Sequence, residues 1–125
     1  KDIVAQQNFT AEDPKLGLAK FKICSFDLEC YSHDEEFPQP DRKEDQIIQI
    51  GMVFHTFGDT DQVRYIITLK ECADIEGANV ISCEKEEDVL MECQRLIQEQ
   101  DPDILTGYNI YGFDEKYIFN TYYKK

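Results

Sequence analysis

The stretch FKICSFDLEC, residues 21–30, decides the reading of the fold: it has the apolar density of a buried strand and yet carries Asp27 and Glu29. Side chains on a strand alternate between faces. Phe21, Ile23, Ser25, Asp27 and Glu29 therefore share one side, and Lys22, Cys24, Phe26, Leu28 and Cys30 share the other. Apolarity on both faces is the signature of a strand covered on both sides, where an unpaired carboxylate is costly and must protonate or find a cation. Positions two apart stand about 6.6 Å from each other and point the same way, so two carboxylates there can converge on one divalent ion or grip a pair. The alternative ends the strand at Phe26 and leaves both acids in a solvated loop. An Asp-x-Glu tripeptide alone leaves that choice open.

The chain has 125 residues, 42% hydrophobic and 12% aromatic, which fits one globular domain with a core and argues against disorder. Thirteen basic residues against 26 acidic ones give a formal charge of −13, the reverse of the footprint of a self-sufficient nucleic-acid binder. Any phosphate binding then needs metal ions or a basic neighbour. Five cysteines, Cys24, Cys30, Cys72, Cys83 and Cys93, form no C-x-x-C pair, so a zinc site is not expected. Free thiols in a reducing, intracellular compartment are the default reading, and no apolar run suggests a membrane.

Residues 1–20 are polar and mixed and read as a linker or the edge of an upstream domain; residues 21–125 carry the fold. After the first strand, YSHDEEFPQPDRKEDQ (31–46) is a charged loop with Pro38 and Pro40. IIQIGMVFHT (47–56) and QVRYIITLK (62–70) read as strands, joined by FGDTDQ, whose Gly58 and Asp59 suit a turn. Three antiparallel strands in a meander are expected. A short apolar piece at Val80 and Ile81 leads to Ser82, an expected N-cap, with Glu84, Glu86, Glu87 and Asp88 clustered on a solvated helix start. Val89, Leu90, Cys93, Leu96 and Ile97 then fall on one helical stripe, read as core. Asp101-Pro102 ends that helix, DILTGYN is a short strand, and FDEKYIFNTYY begins a last helix. The order β-β-β-α-β-α is the opening of an α/β, ribonuclease H-like fold, cut before its C-terminal helices.

GYNIYGFDEKYI (107–118) supplies a partner for the first strand's acids. Asn109 ends the fourth strand, Gly112 permits a bend, and Asp114 falls in the first turn of the following helix. An acid there is often only a dipole partner. Beside Asp27 and Glu29, however, Asp114 is a third carboxylate around one cleft, the arrangement of two-metal phosphoryl-transfer sites.

FDLECYS, then FPQPDRKEDQIIQIG, then DPDILTGYNIYGFDEKYI together resemble the first two exonuclease motifs of the B-family DNA polymerases. The intervening LKECADIEGANVISCEKEEDVL is most similar to the delta-type replicative enzymes of eukaryotes and large DNA viruses. The resemblance runs from about Phe21 to Tyr123, and Asn-x-x-x-Phe-Asp within G-Y-N is its most specific part. It implies hydrolytic removal of mispaired 3′ terminal nucleotides, proofreading, with two divalent ions, Mg2+ or Mn2+. It further implies that Asp27 bridges the ions, that Glu29 ligates one and reaches the terminal 3′ hydroxyl, and that Asp114 holds the other through water. Leu28 and Phe113 would line the pocket for the terminal base, with Asn109 also on the substrate side. The implied partners are the single-stranded 3′ end of DNA, the remaining polymerase domains of the same chain and, as a further candidate, a sliding clamp. The implied compartment is the nucleus, or the host nucleus or cytoplasm for a virus.

The family completes its site with a fourth carboxylate in a later Tyr-x-x-x-Asp helix, and no such pattern occurs in these 125 residues. The stretch therefore reads as part of a larger polymerase, expected to be inactive alone. A stand-alone exonuclease of the same fold and a non-catalytic strand-binding module are the alternatives. The delta-like connecting sequence weighs against the former, and the presence of all three acids gives the latter no support.

Overall fold

A computed structural model of the chain describes residues 20–107. Within them, β1 (Lys22–Tyr31), β2 (Gln46–Thr56), β3 (Gln62–Leu69), β4 (Asn79–Cys83) and β5 (Ile104–Thr106) form one mixed sheet, and α1 (Glu86–Gln100) lies between β4 and β5. The strand order across the sheet is β4-β3-β2-β1-β5. The pairs β1–β2 and β2–β3 are antiparallel, as the meander requires, whereas β5 runs parallel to β1 and β4 parallel to β3. The architecture is α/β. The last helix expected from the sequence lies outside the described residues.

Strand β1 runs through both acids to Tyr31, so the loop alternative for Asp27 and Glu29 does not hold. Coverage of both faces does not hold either, among the described residues. Helix α1 packs across β2, β3 and β4 on one face alone. There its stripe of Val89, Leu90, Cys93 and Leu96 meets Cys24, Leu28, Ile50, Met52, Phe54 and Ile67 in one core cluster. Each large aliphatic or aromatic side chain so buried contributes about 1.5–3 kcal/mol. Phe54 and Tyr65 add an edge-to-face pair, with centroids 5.9 Å apart and planes at 81°. Asp27 and Glu29 point to the opposite face and are exposed.

Two local features depart from the sequence reading. Ser82 does not cap the helix: it belongs to β4, paired with Thr68, and α1 starts after Lys85, whose extended backbone occupies the N-cap without a side-chain hydrogen bond. Five residues alternating at the edge of the sheet outcompete a helix start, because β3 offers them a full parallel ladder. The acids of the first turn, Glu86, Glu87 and Asp88, still complement the helix dipole. Glu86 is not solvated, however: it is buried, and its Oε1 accepts the backbone N–H of Ile47 at 2.9 Å.

The second feature is a bulge. Glu29 pairs with Gln49 but Cys30 pairs with Ile47, leaving Ile48 as the extra residue of β2. The slip lets Ile47 and Ile50, three positions apart, both reach the core while Ile48 turns outward. Bulges of this kind bend a strand and re-aim the side chains beside them. This one sits immediately next to Glu29.

Candidate active site

The face of the sheet opposite α1 is laid out in rows by the register. One row runs Asp27, Gly51, Ile66, Val80; its neighbour runs Thr106, Ser25, Val53, Arg64. Glu29 lies one step further along β1, opposite Gln49. A groove of about 620 Å³ covers this floor, and its lining includes Asp27, Gly51, Arg64, Ile66 and Gly107. Ile75, Glu76 and Ala78 also line it, so the connection from β3 to β4 passes over this face and forms the outer wall. Lys70 and Gly77, at φ 72° and 78°, supply the two left-handed turns of that connection.

The end of α1 fixes β5 against β1. Asp101 takes a left-handed conformation and its N–H donates to Ile97 O at 2.9 Å, which stops the helix. Asp103 then grips Lys22 twice: its Oδ2 accepts the Lys22 N–H at 2.9 Å and its own N–H donates to Lys22 O at 2.8 Å. Lys22 Nζ donates to Gln100 Oε1 at 2.7 Å. β5 therefore enters the sheet in parallel register, with Thr106 beside Ser25, one row short of Asp27.

The loop after β1 is organised by Asp45, which is 3% exposed. Its Oδ1 accepts the His33 N–H at 3.1 Å and its Oδ2 the Gln39 N–H at 2.8 Å, drawing both limbs of the loop together. Arg42 adds ion pairs to Asp34 at 2.6 Å and to Glu36 at 3.2 Å, which are exposed and contribute little.

Of the residues expected from the sequence, Asp27 and Glu29 lie side by side on one exposed face. Leu28 does not join them: alternation sends it into the core under α1, 7% exposed. Its side chain packs in the core cluster there. Asn109, Phe113 and Asp114 lie outside the described residues. Gly51, Arg64 and the crossover residues Ile75 and Glu76 were not singled out from the sequence. Gly51 and Arg64 do leave a signal, as a glycine and a cation interrupting β-branched strands. Among the described residues no group of three or more His, Cys, Asp or Glu side chains could hold a metal ion, and none of their helices is long and apolar enough to cross a membrane. Asp27 and Glu29 are two hard oxygen donors on one strand face, a donor type that suits magnesium or manganese as part of a larger ligand set.

Comparison with known proteins bears on what this face belongs to. The family described as DNA polymerase family B, exonuclease domain, matches residues 1–124. The DNA polymerase of Acanthamoeba polyphaga mimivirus is 46% identical over 104 residues, 82% of this chain and 6% of that protein. The DNA polymerase delta catalytic subunits of Dictyostelium discoideum and Arabidopsis thaliana are 40% and 42% identical over 103 and 109 residues, 82% and 86% of this chain. The chain spans 9% and 10% of those two proteins. With a match along nearly its whole length and relatives above 40% identity, the chain belongs to the exonuclease domain family of the B-family DNA polymerases.

Proposed function

We propose that this chain forms part of a 3′-5′ exonuclease domain, of ribonuclease H-like fold, that removes mispaired 3′ terminal nucleotides within a replicative DNA polymerase. The observation that carries the reading is the pair Asp27 and Glu29, side by side on the sheet face that α1 leaves open, with a groove leading from Asp27. Asp114 is proposed as the third carboxylate, and Phe113 and Asn109 as contacts to the terminal nucleotide, with the Phe113 ring suited to stacking on any base. β5 supports this, because it runs toward the acid row in parallel with β1.

In this mechanism Asp27 and Glu29, with Asp114, would hold two divalent ions, and Glu29 would accept a hydrogen bond from the terminal 3′ hydroxyl. When bound, such ions supply polarisation of the attacking water and stabilisation of the charge on the departing oxygen. The protein's part is to fix the carboxylates. Strand β1 does so: β2 pairs with it through both acids, and β5 pairs with its Ile23–Ser25 stretch. The register shift of the bulge falls directly after Glu29, between Glu29 and Cys30. A frayed primer end, already unpaired, reaches the site at lower cost than a paired one, which is the source of editing.

DNA, the further domains of the same chain and a sliding clamp are the proposed partners. The nucleus is the proposed compartment, or the host nucleus or cytoplasm if the source is viral. The stretch alone, lacking the family's fourth carboxylate, is proposed to cleave poorly. The test uses the full polymerase with Asp27→Ala and Glu29→Ala together, assayed for 3′ removal and for primer extension. Loss of removal with extension retained is the expected result. Loss of both would mean that these acids support the fold, and undiminished removal would end the assignment.

A further inference from the structure

We propose that Gln49 is a positioning residue for the carboxylates of β1: its side-chain amide donates to Glu29, and the Thr68 hydroxyl holds the amide in that orientation. The inference rests on the exonuclease reading and goes beyond it, from the acids to what fixes them.

The register singles out Gln49. Asp27 faces Gly51 across the β1–β2 ladder, and Glu29 faces Gln49. Gly51 has no side chain to offer. On the other flank, β5 pairs with Ile23–Ser25 and stops short of both acids. Among the described residues, Gln49 is therefore the one strand neighbour whose side chain stands directly opposite either carboxylate. Residues so opposed have Cβ atoms about 4.5–5.5 Å apart, and a diagonal neighbour at about 7–8 Å is still within reach of a long side chain. Gln49 thus meets Glu29 across the ladder and Asp27 on the diagonal, and it lines the groove beside Asp27.

The row to which Gln49 belongs orients its amide. Glu29, Gln49, Thr68 and Ser82 follow one another across the sheet, all polar, whereas the adjacent row turns apolar at Ile66 and Val80. Thr68 is 6% exposed, and its hydroxyl donates to Leu69 O at 3.5 Å, a long bond for an O–H donor. A buried hydroxyl gains from a better acceptor, and Gln49 Oε1 on the neighbouring strand is one. With Oε1 turned to Thr68, Nε2 faces Glu29. The reverse flip would set an amide oxygen against a carboxylate. Gln49 is half-buried and its amide makes none of the described hydrogen bonds, so the contact needs side-chain rotation and breaks none of them.

An amide suits the task because it brings donors without charge. A lysine opposite Glu29 would satisfy the acid as a cation and oppose divalent ions. Hydrogen bonds to the outer lone pairs of a ligating carboxylate fix its orientation toward a metal.

The experiment measures Mn2+ binding to the full polymerase by electron paramagnetic resonance. The sites lost in the Asp27→Ala, Glu29→Ala enzyme are those of the exonuclease. Gln49→Met, of similar length but without a donor, should weaken these sites about tenfold, as loss of an outer hydrogen bond does elsewhere. Thr68→Val should weaken them by less. The Mn2+ concentration for half-maximal 3′ removal should rise in parallel, with KM for a single-stranded oligonucleotide unchanged and kcat restored at saturating Mn2+. The melting temperature of the metal-free enzyme should not move in Gln49→Met. Unchanged Mn2+ affinity in that variant would overturn the proposal, and a raised KM beside it would mark Gln49 as a DNA contact. Weaker binding with a lowered melting temperature would overturn it as well, because it marks a packing role. Full affinity in Thr68→Val would remove the orienting part. If the double acid variant loses no Mn2+ site, the exonuclease reading itself fails.

Discussion

Glu86, 5% exposed in the first turn of α1, accepts the backbone N–H of Ile47 through Oε1 at 2.9 Å. This bond ties the start of the helix to the start of β2, next to the bulge at Ile48. The helix has no side-chain N-cap, so its N-terminal register depends on this carboxylate. Glu86→Ala should destabilise the domain by about 1–3 kcal/mol, the usual cost of a lost buried partner, and Glu86→Gln by less because an acceptor remains. Amide exchange at Ile47 reads the effect directly. Unchanged protection in Glu86→Ala would show that the helix start is held by other contacts.

The double bond between Asp103 and Lys22 sets the register of β5 against β1. Asp103→Ala removes the carboxylate half of it. The expected cost is modest, about 0.5–1.5 kcal/mol, because the site is exposed. Faster amide exchange in Ile104–Thr106 should accompany it, while α1 stays protected. If the proposed third carboxylate is positioned from β5, the exonuclease should weaken more than primer extension does. Equal loss of both activities would point to general unfolding.

The elements legible in the sequence were those set by local periodicity. Alternation marked β1, β2 and β3, and the spacing of Val89, Leu90, Cys93 and Leu96 marked α1 and its buried face. The turn at Gly58 was legible because φ 91° there favours glycine. What could not be read depends on partners distant in the chain. Val80 and Ile81 form a strand because β3 offers an edge, and nothing in five residues announces that. Ile48 is extruded because Ile47 and Ile50 both find space in the core. Asp45 and Glu86 resemble surface acids in composition, yet each is buried by backbone N–H groups that only the fold brings to it. At the site, the common face of Asp27 and Glu29 followed from a period of two, and the same period already placed Leu28 on the other side.

Leu28 separates packing from substrate contact. Its side chain is in the cluster that α1 covers, so Leu28→Ala should cost about 2–5 kcal/mol through the cavity left behind. Leu28→Met, of similar volume, should cost less than about 1.5 kcal/mol. If its role is packing alone, the Met variant edits at the normal rate and with the normal preference for a mispaired end. A stable Leu28→Met enzyme with altered preference among terminal bases would instead return this residue to the substrate pocket.

The core thiols give the domain a pH dependence of known sign. Burial pushes Cys24 up to about 11, and burial with the nearby Cys24 thiol pushes Cys93 up to about 12, from an ordinary 9.0. The unfolded chain therefore loses these protons at lower pH than the folded one. Stability contributed by the neutral thiols is intact below pH 9 and is lost as pH rises through 11 and 12. Cys93→Ala should flatten that alkaline fall, at the cost of some packing. Iodoacetamide at pH 8, followed by peptide mapping of the native protein, should modify the part-exposed Cys72 and spare Cys24 and Cys93, because the thiolate is the reactive form and both core sulfurs are shielded. Denaturation before labelling should make all three react. Native labelling of Cys93 at the rate of Cys72 would mean that α1 opens from the sheet on the timescale of the reaction, and β1 would then lack the rigid backing on which the placement of Asp27 and Glu29 depends.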